Sequence, residues 1–202
     1  FTTGGEQARD VLRNGRLWGL VATNVLIMLG YGLWMTVWTT LFFVKQYGLS
    51  PKVANTWYAW VPGAFAALGG FAGAWWARSL IRQGLAPLAA RARIFYFAAP
   101  FIAATIFAPH MPNAALATAM ISIGTFATVC LSANLYAMPL DMFPAARVGF
   151  AVSLLTFGYG ILGSFWSKAI GLLVDHSGFV WPCFIAGVSP FAAMLVLRRA
   201  LR

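Results

Sequence analysis

The sequence predicts an all-α integral membrane protein with six transmembrane helices. Hydrophobic residues make up 61% of the chain and charged residues only 9%, too little charge to cover a water-soluble domain of 202 residues. Six apolar segments, each of about 18 to 28 residues, are long enough to cross a hydrocarbon layer of about 30 Å as helices. These predicted spans are 17–44, 53–77, 92–109, 114–137, 149–174 and 179–197.

The basic residues sort to opposite ends of these spans. Of the 14 Lys and Arg residues, the 11 arginines fall at one end and the three lysines at the other. An excess of basic residues in short loops marks the cytoplasmic side. The arginines therefore place both termini in the cytoplasm and the chain in the inner (plasma) membrane. They are Arg9, Arg13, Arg16, Arg78, Arg82, Arg91, Arg93, Arg147, Arg198, Arg199 and Arg202; the lysines are Lys45, Lys52 and Lys168.

Three parts follow from this topology: a cytoplasmic linker over 1–16, a six-helix bundle over 17–197, and a cytoplasmic tail over 198–202. A cytoplasmic loop is expected over 79–93, and Pro139 and Pro144 are expected to stop the helices on either side of a second one. The chain begins with Phe1 and a polar stretch. We therefore expect a fragment of a longer protein.

Composition argues against several classes of function. A net charge of +10 would suit nucleic acid, but arginines at helix ends suit anionic lipid headgroups better, so no nucleic-acid partner is expected. Cys130 and Cys183 fall inside spans, which favours packed thiols. His110 and His176 have no partner at metal-ligand spacing. We expect no metal, no cofactor and no enzymatic activity, because no cluster of catalytic groups is present.

Polar and aromatic residues inside the spans suggest a substrate pathway, since burying them in lipid is costly. Hydroxyls and amides can hydrogen-bond a polyol, and indole rings can stack on sugar rings. Tyr and Trp at helix ends also form interfacial belts, and Ser and Thr also bond back to their own helix. The candidate substrate-binding residues are Asn24, Tyr31, Trp34, Trp38, Ser132, Asn134 and Thr156.

Acidic residues are almost absent from the spans. The four acids are Glu6, Asp10, Asp141 and Asp175, and none lies deep in a predicted helix. A proton-driven carrier needs an ionisable group exposed alternately to the two sides, so this chain alone does not supply one. Lys168, late in the fifth span, is interpreted as a snorkelling side chain.

Small residues recur on the second predicted helix, where Gly69 and Gly73 form a G-x-x-x-G motif that permits close helix packing. The order of glycines and charges after the second and fifth helices also suggests two inverted three-helix repeats, an arrangement known in transporters.

Two stretches of the second half resemble the last three helices of major facilitator superfamily carriers. They read NLYAMPLDMFPAARVGFAVSLLTFGYGILG and GLLVDHSGFVWPCFIAGVSP. The most similar branch is the anion:cation symporters that import hexuronates, aldonates and related organic acids. The ending WTTLFFVKQYGLS resembles that branch's seventh-helix ending, with Trp38 at its tryptophan, and GAWWARSLIRQG resembles its loop after the eighth helix.

The resemblance implies the second half of a twelve-helix carrier, with the first six helices missing. It implies a conformational loop motif that includes Arg78, Arg82, Asp141 and Gly149. Arg78 stands where many members carry an acid, which puts their interdomain charge network in doubt here. Thr40 replaces a frequent proline, and Thr156 and Ser167 replace a frequent asparagine and proline. Coupling acids and a carboxylate-binding arginine lie in the missing half of such carriers.

The function that the resemblance implies is transport of a small organic anion, such as a sugar acid, by proton-coupled symport and alternating access. The implied partners are the anionic substrate, a proton, the lipid bilayer and an N-terminal transporter half. A six-helix channel and a non-transporting structural membrane subunit remain as alternatives; a channel would conduct without saturation, whereas a carrier saturates.

Overall fold

The structure is a computed structural model that describes the backbone of residues 4–202 and the side chains of residues 8–202. Nine α-helices account for most of that range, and no strand occurs in it. A π-helical turn, Asn55–Ala59, precedes α5, and a 3-10 helix, Ala103–His110, continues α6. The α-helices are α1 (Gly4–Leu12), α2 (Gly15–Trp34), α3 (Val37–Tyr47), α4 (Pro51–Ala54), α5 (Val61–Arg82), α6 (Pro87–Ile102), α7 (Ala114–Met142), α8 (Ala145–Ser177) and α9 (Val180–Ala200).

In the described part of the chain, five helices are long and apolar enough to cross a membrane, which indicates an all-α, multi-pass membrane protein. They are Gly15–Trp34, Pro87–His110, Ala114–Met142, Ala145–Ser177 and Val180–Ala200. The second predicted span corresponds to α5, which is 22 residues long but is not among the five. Every membrane-length stretch of α5 contains Arg78, and its glycines and tryptophans lower its hydropathy further, although residues 53–77 carry no charge. Six crossings therefore stay a prediction.

The helices pack with both ends of the chain at one end of the bundle. Gly19, near the start of α2, lies directly against Ala200 at the end of α9. At the same end, Arg147 pairs with Asp10 of α1, with 3.1 Å between Nη2 and Oδ2. At the opposite end, Lys45 of α3 pairs with Asp175 of α8 at 3.3 Å. The arginine-rich and lysine-containing ends predicted from the sequence are thus separate in space.

Two apolar cores fill the bundle, one towards each end. The core at the arginine end includes Leu17, Phe95 and Leu197, all fully buried. The core at the other end is aromatic: Phe42 makes edge-to-face contacts with Trp34 and Phe179, each with 5.2 Å between ring centroids. Such pairs add about 0.5–1.5 kcal/mol each beyond the area they bury.

The first predicted span, 17–44, is broken at Met35 and Thr36. Thr36 is extended, with φ −132° and ψ −168°, and it separates α2 from α3. Two hydroxyls satisfy carbonyls that the break would leave unpaired: Thr36 Oγ1 donates to the carbonyl of Gly32 at 2.9 Å, and Thr39 Oγ1 donates to the carbonyl of Trp34. In lipid such replacement bonds are what makes a broken helix tolerable.

The loops are shorter than the sequence indicated. The expected loop 79–93 contracts to residues 83–86, because α5 continues to Arg82 and Pro87 occupies the first turn of α6. Gly84 makes the tight turn possible with φ +93°, a region that favours glycine. The expected linker 1–16 is helical over Gly4–Leu12.

Two expected helix boundaries, one at Pro139 and one at Gly149, were wrong. Pro139 does not stop its helix, since α7 continues through it to Met142. A single proline removes only one backbone donor, and α7 keeps the bonds on either side. Gly149 does not begin a helix, because Pro144 immediately precedes the first residue of α8, and Gly149 lies in its second turn.

The G-x-x-x-G motif lies at the contact between α5 and α7. A Cβ placed on Gly69 would overlap the backbone carbonyl of Phe126, and one placed on Gly73 would come within 2.6 Å of the Cys130 carbonyl oxygen. The backbone of α7 thus occupies the space that a side chain would need. Close backbone approach of this kind is a main source of helix association in lipid.

We expect Gly69→Ala to destabilise the bundle by about 1–3 kcal/mol, because a methyl group there must push two helices apart. Gly63→Ala on the same helix is the matched control, since a Cβ at Gly63 meets nothing within 4 Å. Thermal unfolding in detergent measures both variants. Equal midpoints for the two would contradict the close α5–α7 contact.

Candidate functional site

A hydrogen-bonded cluster joins three membrane-spanning helices around the hydroxyl of Tyr136 on α7. Asn24 of α2 is fully buried, and its Nδ2 donates to Tyr136 Oη at 3.3 Å and to the backbone carbonyl of Leu155 on α8 at 3.0 Å. Thr156 Oγ1 of α8 also donates to Tyr136 Oη, at 3.4 Å. The structure therefore brings the predicted residues Asn24 and Thr156 together through Tyr136.

Not every polar atom of this cluster is paired. Tyr136 Oη accepts from Asn24, and the single proton of Thr156 Oγ1 has two acceptors at 3.4 Å, Tyr136 Oη and the Val152 carbonyl. The Oδ1 atom of Asn24 is buried and has no partner among the described residues. A buried polar atom without a partner is costly, so such atoms point to a ligand, a water or a functional role. The cluster offers an acceptor at Asn24 Oδ1, and a donor at Tyr136 when Thr156 donates to it.

Two further tyrosines, Tyr31 and Tyr159, extend the polar region along α2 and α8. Tyr31 is 37% exposed, and Tyr159 of α8 packs over Gly32, where an added Cβ would lie 3.2 Å from its hydroxyl oxygen. Tyr31 precedes Gly32 on α2, and Tyr136 is joined to α8 through Thr156, three residues before Tyr159. Three phenol groups thus gather on the side of the bundle where α2 and α8 meet.

Two tryptophans attach α8 to the first span. Trp38 Nε1 of α3 donates to Ser167 Oγ at 3.3 Å, and Trp166 Nε1 of α8 donates to the backbone carbonyl of Leu29 at 3.0 Å. The indole of Trp38 also lies over Gly171. Trp38 therefore lies at the α3–α8 contact, and its role in substrate binding stays a prediction.

A cavity of about 320 Å³ opens beside the break between α2 and α3. Trp34 forms part of its wall; its side chain is only 1% exposed, and its Nε1 has no hydrogen-bond partner among the described residues. Across the cavity Thr40 Oγ1 donates to Asn55 Oδ1 at 2.6 Å. The unpaired indole N–H is a second donor near the polar region.

The two remaining predicted residues lie outside the Tyr136 cluster. Asn134 is 1% exposed; its Nδ2 donates to the Cys130 carbonyl at 2.9 Å and it packs against Gly73 at the α5–α7 contact. Ser132 is half-buried on α7, one turn before Tyr136 on the same face. A role for either in substrate binding stays a prediction.

The residues of the predicted loop motif lie at the arginine end. Arg78 and Arg82 are exposed on the last turns of α5, where their charge suits the negative end of the helix dipole. Asp141 pairs with Arg91 of α6 at 2.7 Å, and the two side chains are only 15% and 17% exposed. Gly149 is exposed, with nothing within 4 Å of an added Cβ.

One side of α8 is open. Only 11% of the residues in its most apolar stretch are buried, against 61% for α2 and for α7. The open side carries two stripes: exposed hydroxyls at Ser153, Thr156, Ser164 and Ser167, and beside them exposed apolar residues that include Phe157 and Ile161. Ser153 and Ser164 donate to carbonyls of α8 itself, which leaves their oxygens free to accept, and Thr156 donates either to Tyr136 or to the Val152 carbonyl.

The side chains of this region can form hydrogen bonds with a ligand. They supply hydroxyl, amide and indole groups, and no cluster of three His, Cys, Asp or Glu side chains that could hold a metal occurs in the part of the chain with described side chains. No protein-family model matches the chain, and no curated protein matches it at a significant level.

Two residues of the region were absent from the predicted set. Tyr136 lies on the same face of the fourth span as Thr125, Thr128 and Ser132. This row of hydroxyls is the sequence pattern that could have identified Tyr136 as a site residue. Tyr159 gave no such signal, because only the packing of α8 against α2 places its hydroxyl beside Gly32.

We expect Tyr136→Phe to lower the stability of the bundle by about 0.5–1.5 kcal/mol, because Asn24 and Thr156 both lose an acceptor. Tyr58→Phe is the matched control: Tyr58 is half-buried and stacks on Phe43 with 5.3 Å between centroids. The measurement is the thermal midpoint in detergent. A midpoint for Tyr136→Phe no lower than that for Tyr58→Phe would refute the cluster.

We expect the Arg91–Asp141 pair to stabilise the bundle more than the Lys45–Asp175 pair. The first is mostly enclosed, whereas the side chains of the second are 45% and 77% exposed, and exposed pairs contribute about 0–1 kcal/mol. Asp141→Ala should cost about 1.5–3 kcal/mol, the range for a charged hydrogen bond. The free energies of unfolding of Asp141→Ala and Asp175→Ala are compared. A smaller loss of stability for Asp141→Ala than for Asp175→Ala would contradict this ranking.

Proposed function

We propose that the chain is the C-terminal six-helix half of a twelve-helix carrier of the major facilitator type. In this proposal it transports a small organic anion, such as a hexuronate or an aldonate, by alternating access. The observation that carries the proposal is the open side of α8, which exposes the hydroxyls of Ser153, Thr156, Ser164 and Ser167. Polar groups are costly in lipid, so a row of exposed hydroxyls on a membrane helix favours a water-filled cavity on that side.

The arrangement of the chain supports a half-carrier with six crossings. α5 begins near the hydrogen bond between Thr40 and Asn55, at one end of the bundle. It finishes at the other end, where Leu80 packs in the same core as Met138. With α5 counted, the two chain ends meet at one face, as Gly19 and Ala200 do. A second bundle placed against the open side of α8 would close a cavity at mid-membrane, where such carriers bind substrate. The excess of arginine makes this face cytoplasmic.

The groups available suit the hydroxyls of a sugar acid better than its carboxylate. The Tyr136 and Tyr31 hydroxyls and the Trp34 indole can donate, and Asn24 Oδ1 can accept. A carboxylate is bound best by a bidentate arginine, and the arginines of this chain lie at the ends of its helices. In the proposal the carboxylate-binding arginine belongs to the N-terminal half.

Proton coupling is assigned to the same N-terminal half. The described carboxylates Asp10, Asp141 and Asp175 lie at the ends of the bundle, and each is in an ion pair. None is placed to be exposed alternately to the two sides of the membrane. The coupling acid would then come from the partner, as the resemblance to the anion:cation symporters implies.

Transport tests the proposal directly. The chain is co-expressed with an N-terminal half from the same open reading frame, and uptake of labelled glucuronate and gluconate into proteoliposomes is followed with and without an inward proton gradient. We expect saturable uptake that the gradient accelerates and that the chain alone does not support. Uptake that rises linearly with concentration would indicate a channel, and no uptake by a stable, inserted pair would indicate a structural subunit.

Two variants locate the site within that assay. Tyr31→Phe and Tyr136→Phe should each raise KM by about tenfold, because a lost hydrogen bond of about 1.4 kcal/mol changes binding by that factor. Tyr58→Phe should leave KM unchanged, since Tyr58 lies in the aromatic core away from α8. An unchanged KM for both test variants would remove α2 and α7 from the site while leaving transport established.

A further inference from the structure

A second, apolar concavity lies on the outside of the bundle, between α5, α6 and α7. This groove has a volume of about 450 Å³. Aromatic rings and small residues form its walls, which carry almost no polar surface. They include Phe65, Ala72, Trp75, Phe97, Phe101 and Phe126.

The groove belongs to the hydrocarbon part of the bundle. Trp75, Phe97 and Phe101 are 73%, 62% and 58% exposed, which in a membrane means contact with acyl chains. The rings of Trp76 and Phe97 meet edge to face at 5.8 Å and join α5 to α6. An open apolar groove of this kind suits a flexible hydrocarbon chain better than the hydroxyl-rich substrate proposed for α2 and α8.

Arginines border one end of the groove. Arg78 and Arg82 follow Trp75 by three and seven residues on α5, so they share its side of the helix. Arg93 precedes Phe97 by four residues on α6, and the four residues 83–86 join the two helices at this end. All three arginines are exposed.

These arginines are not neutralised by the carboxylates that the structure describes. Asp10, Asp141 and Asp175 are paired with Arg147, Arg91 and Lys45. Basic residues beside a membrane surface attract anionic headgroups, and basic pockets between membrane helices bind them specifically. An apolar groove ending in several cations is therefore complementary to one kind of molecule, with a negative head and hydrocarbon tails.

We propose that this groove is a binding site for an anionic diacyl phospholipid. One acyl chain lies along Phe65, Ala72 and Phe101, and the phosphate meets Arg82 and Arg93, with Arg78 beside it. The site rests on the membrane embedding of the chain and is independent of the transport proposed above. It lies on α5–α6–α7, away from the open side of α8.

The headgroup is tested by lipid retention. Purified protein is equilibrated with equimolar phosphatidylglycerol and phosphatidylcholine of the same acyl chains, and bound lipid is counted by native mass spectrometry. Wild type should retain more phosphatidylglycerol than phosphatidylcholine. In the double variant Arg82→Gln/Arg93→Gln, the ratio of bound phosphatidylglycerol to bound phosphatidylcholine should fall by about fivefold for each arginine removed. Arg13→Gln/Arg16→Gln is the charge-matched control, since these exposed residues lie in the turn before α2 and in its first turn, and α2 does not line the groove.

Two further variants separate the parts of the site. Arg82→Lys/Arg93→Lys should keep the preference, because the charge is retained. Ala72→Trp should fill the groove and reduce retention of both lipids alike. Equal retention of the two lipids by wild type, or an equal loss of preference in the Arg13/Arg16 control, would overturn the proposal. The arginine variants decide it even if Ala72→Trp does not fold.

Discussion

The constraint on which the structure depends is that polar groups inside the bundle have no water to bond. Hydroxyls accordingly bond to nearby carbonyls: Thr23 to Gly19 at 2.7 Å, Thr118 to Ala114 at 2.7 Å and Thr128 to Gly124 at 2.8 Å. The same constraint permits the break between α2 and α3, since threonine hydroxyls take over the carbonyls it frees. Among the described residues, unpaired buried atoms occur at Asn24 and Trp34, where a ligand is proposed, and also at Thr105, Ser122 and Asn134.

Apolar burial contributes little between helices that are already surrounded by lipid, so packing and hydrogen bonds must decide how the helices associate. α5 approaches α7 closely because Gly69 and Gly73 have no side chains. α8 is held on one side only. Asn24 donates to its Leu155 carbonyl, Val21 lies against Gly158, and Trp38 and Trp166 add indole bonds, whereas the opposite side of α8 is open.

The sequence was sufficient for the helical class, for membrane-spanning segments and for the separation of arginine and lysine, because hydropathy and charge are properties of single residues. The sequence predicted the ends of the helices less well. Pro139 and Gly149 were misread because a proline inside a helix and a glycine in its second turn depend on the neighbouring turns. Of the predicted site residues, Asn24 and Thr156 meet at Tyr136, whereas Asn134 faces α5. Periodicity places a residue on a face of its helix, but which helix covers that face is set by packing between distant parts of the chain.

The central claim is that the open side of α8 lines an aqueous cavity and does not face lipid. Cysteine labelling tests it most directly, in a background where the buried Cys130 and Cys183 are replaced by alanine. Thr156→Cys and the control Ile161→Cys are exposed to a water-soluble, membrane-impermeant maleimide in the assembled carrier. The account predicts labelling of Thr156→Cys, slowed by a sugar acid, and no labelling of Ile161→Cys, which lies in the apolar stripe of α8. Equal protection of both positions would place this side of α8 in lipid and contradict the account.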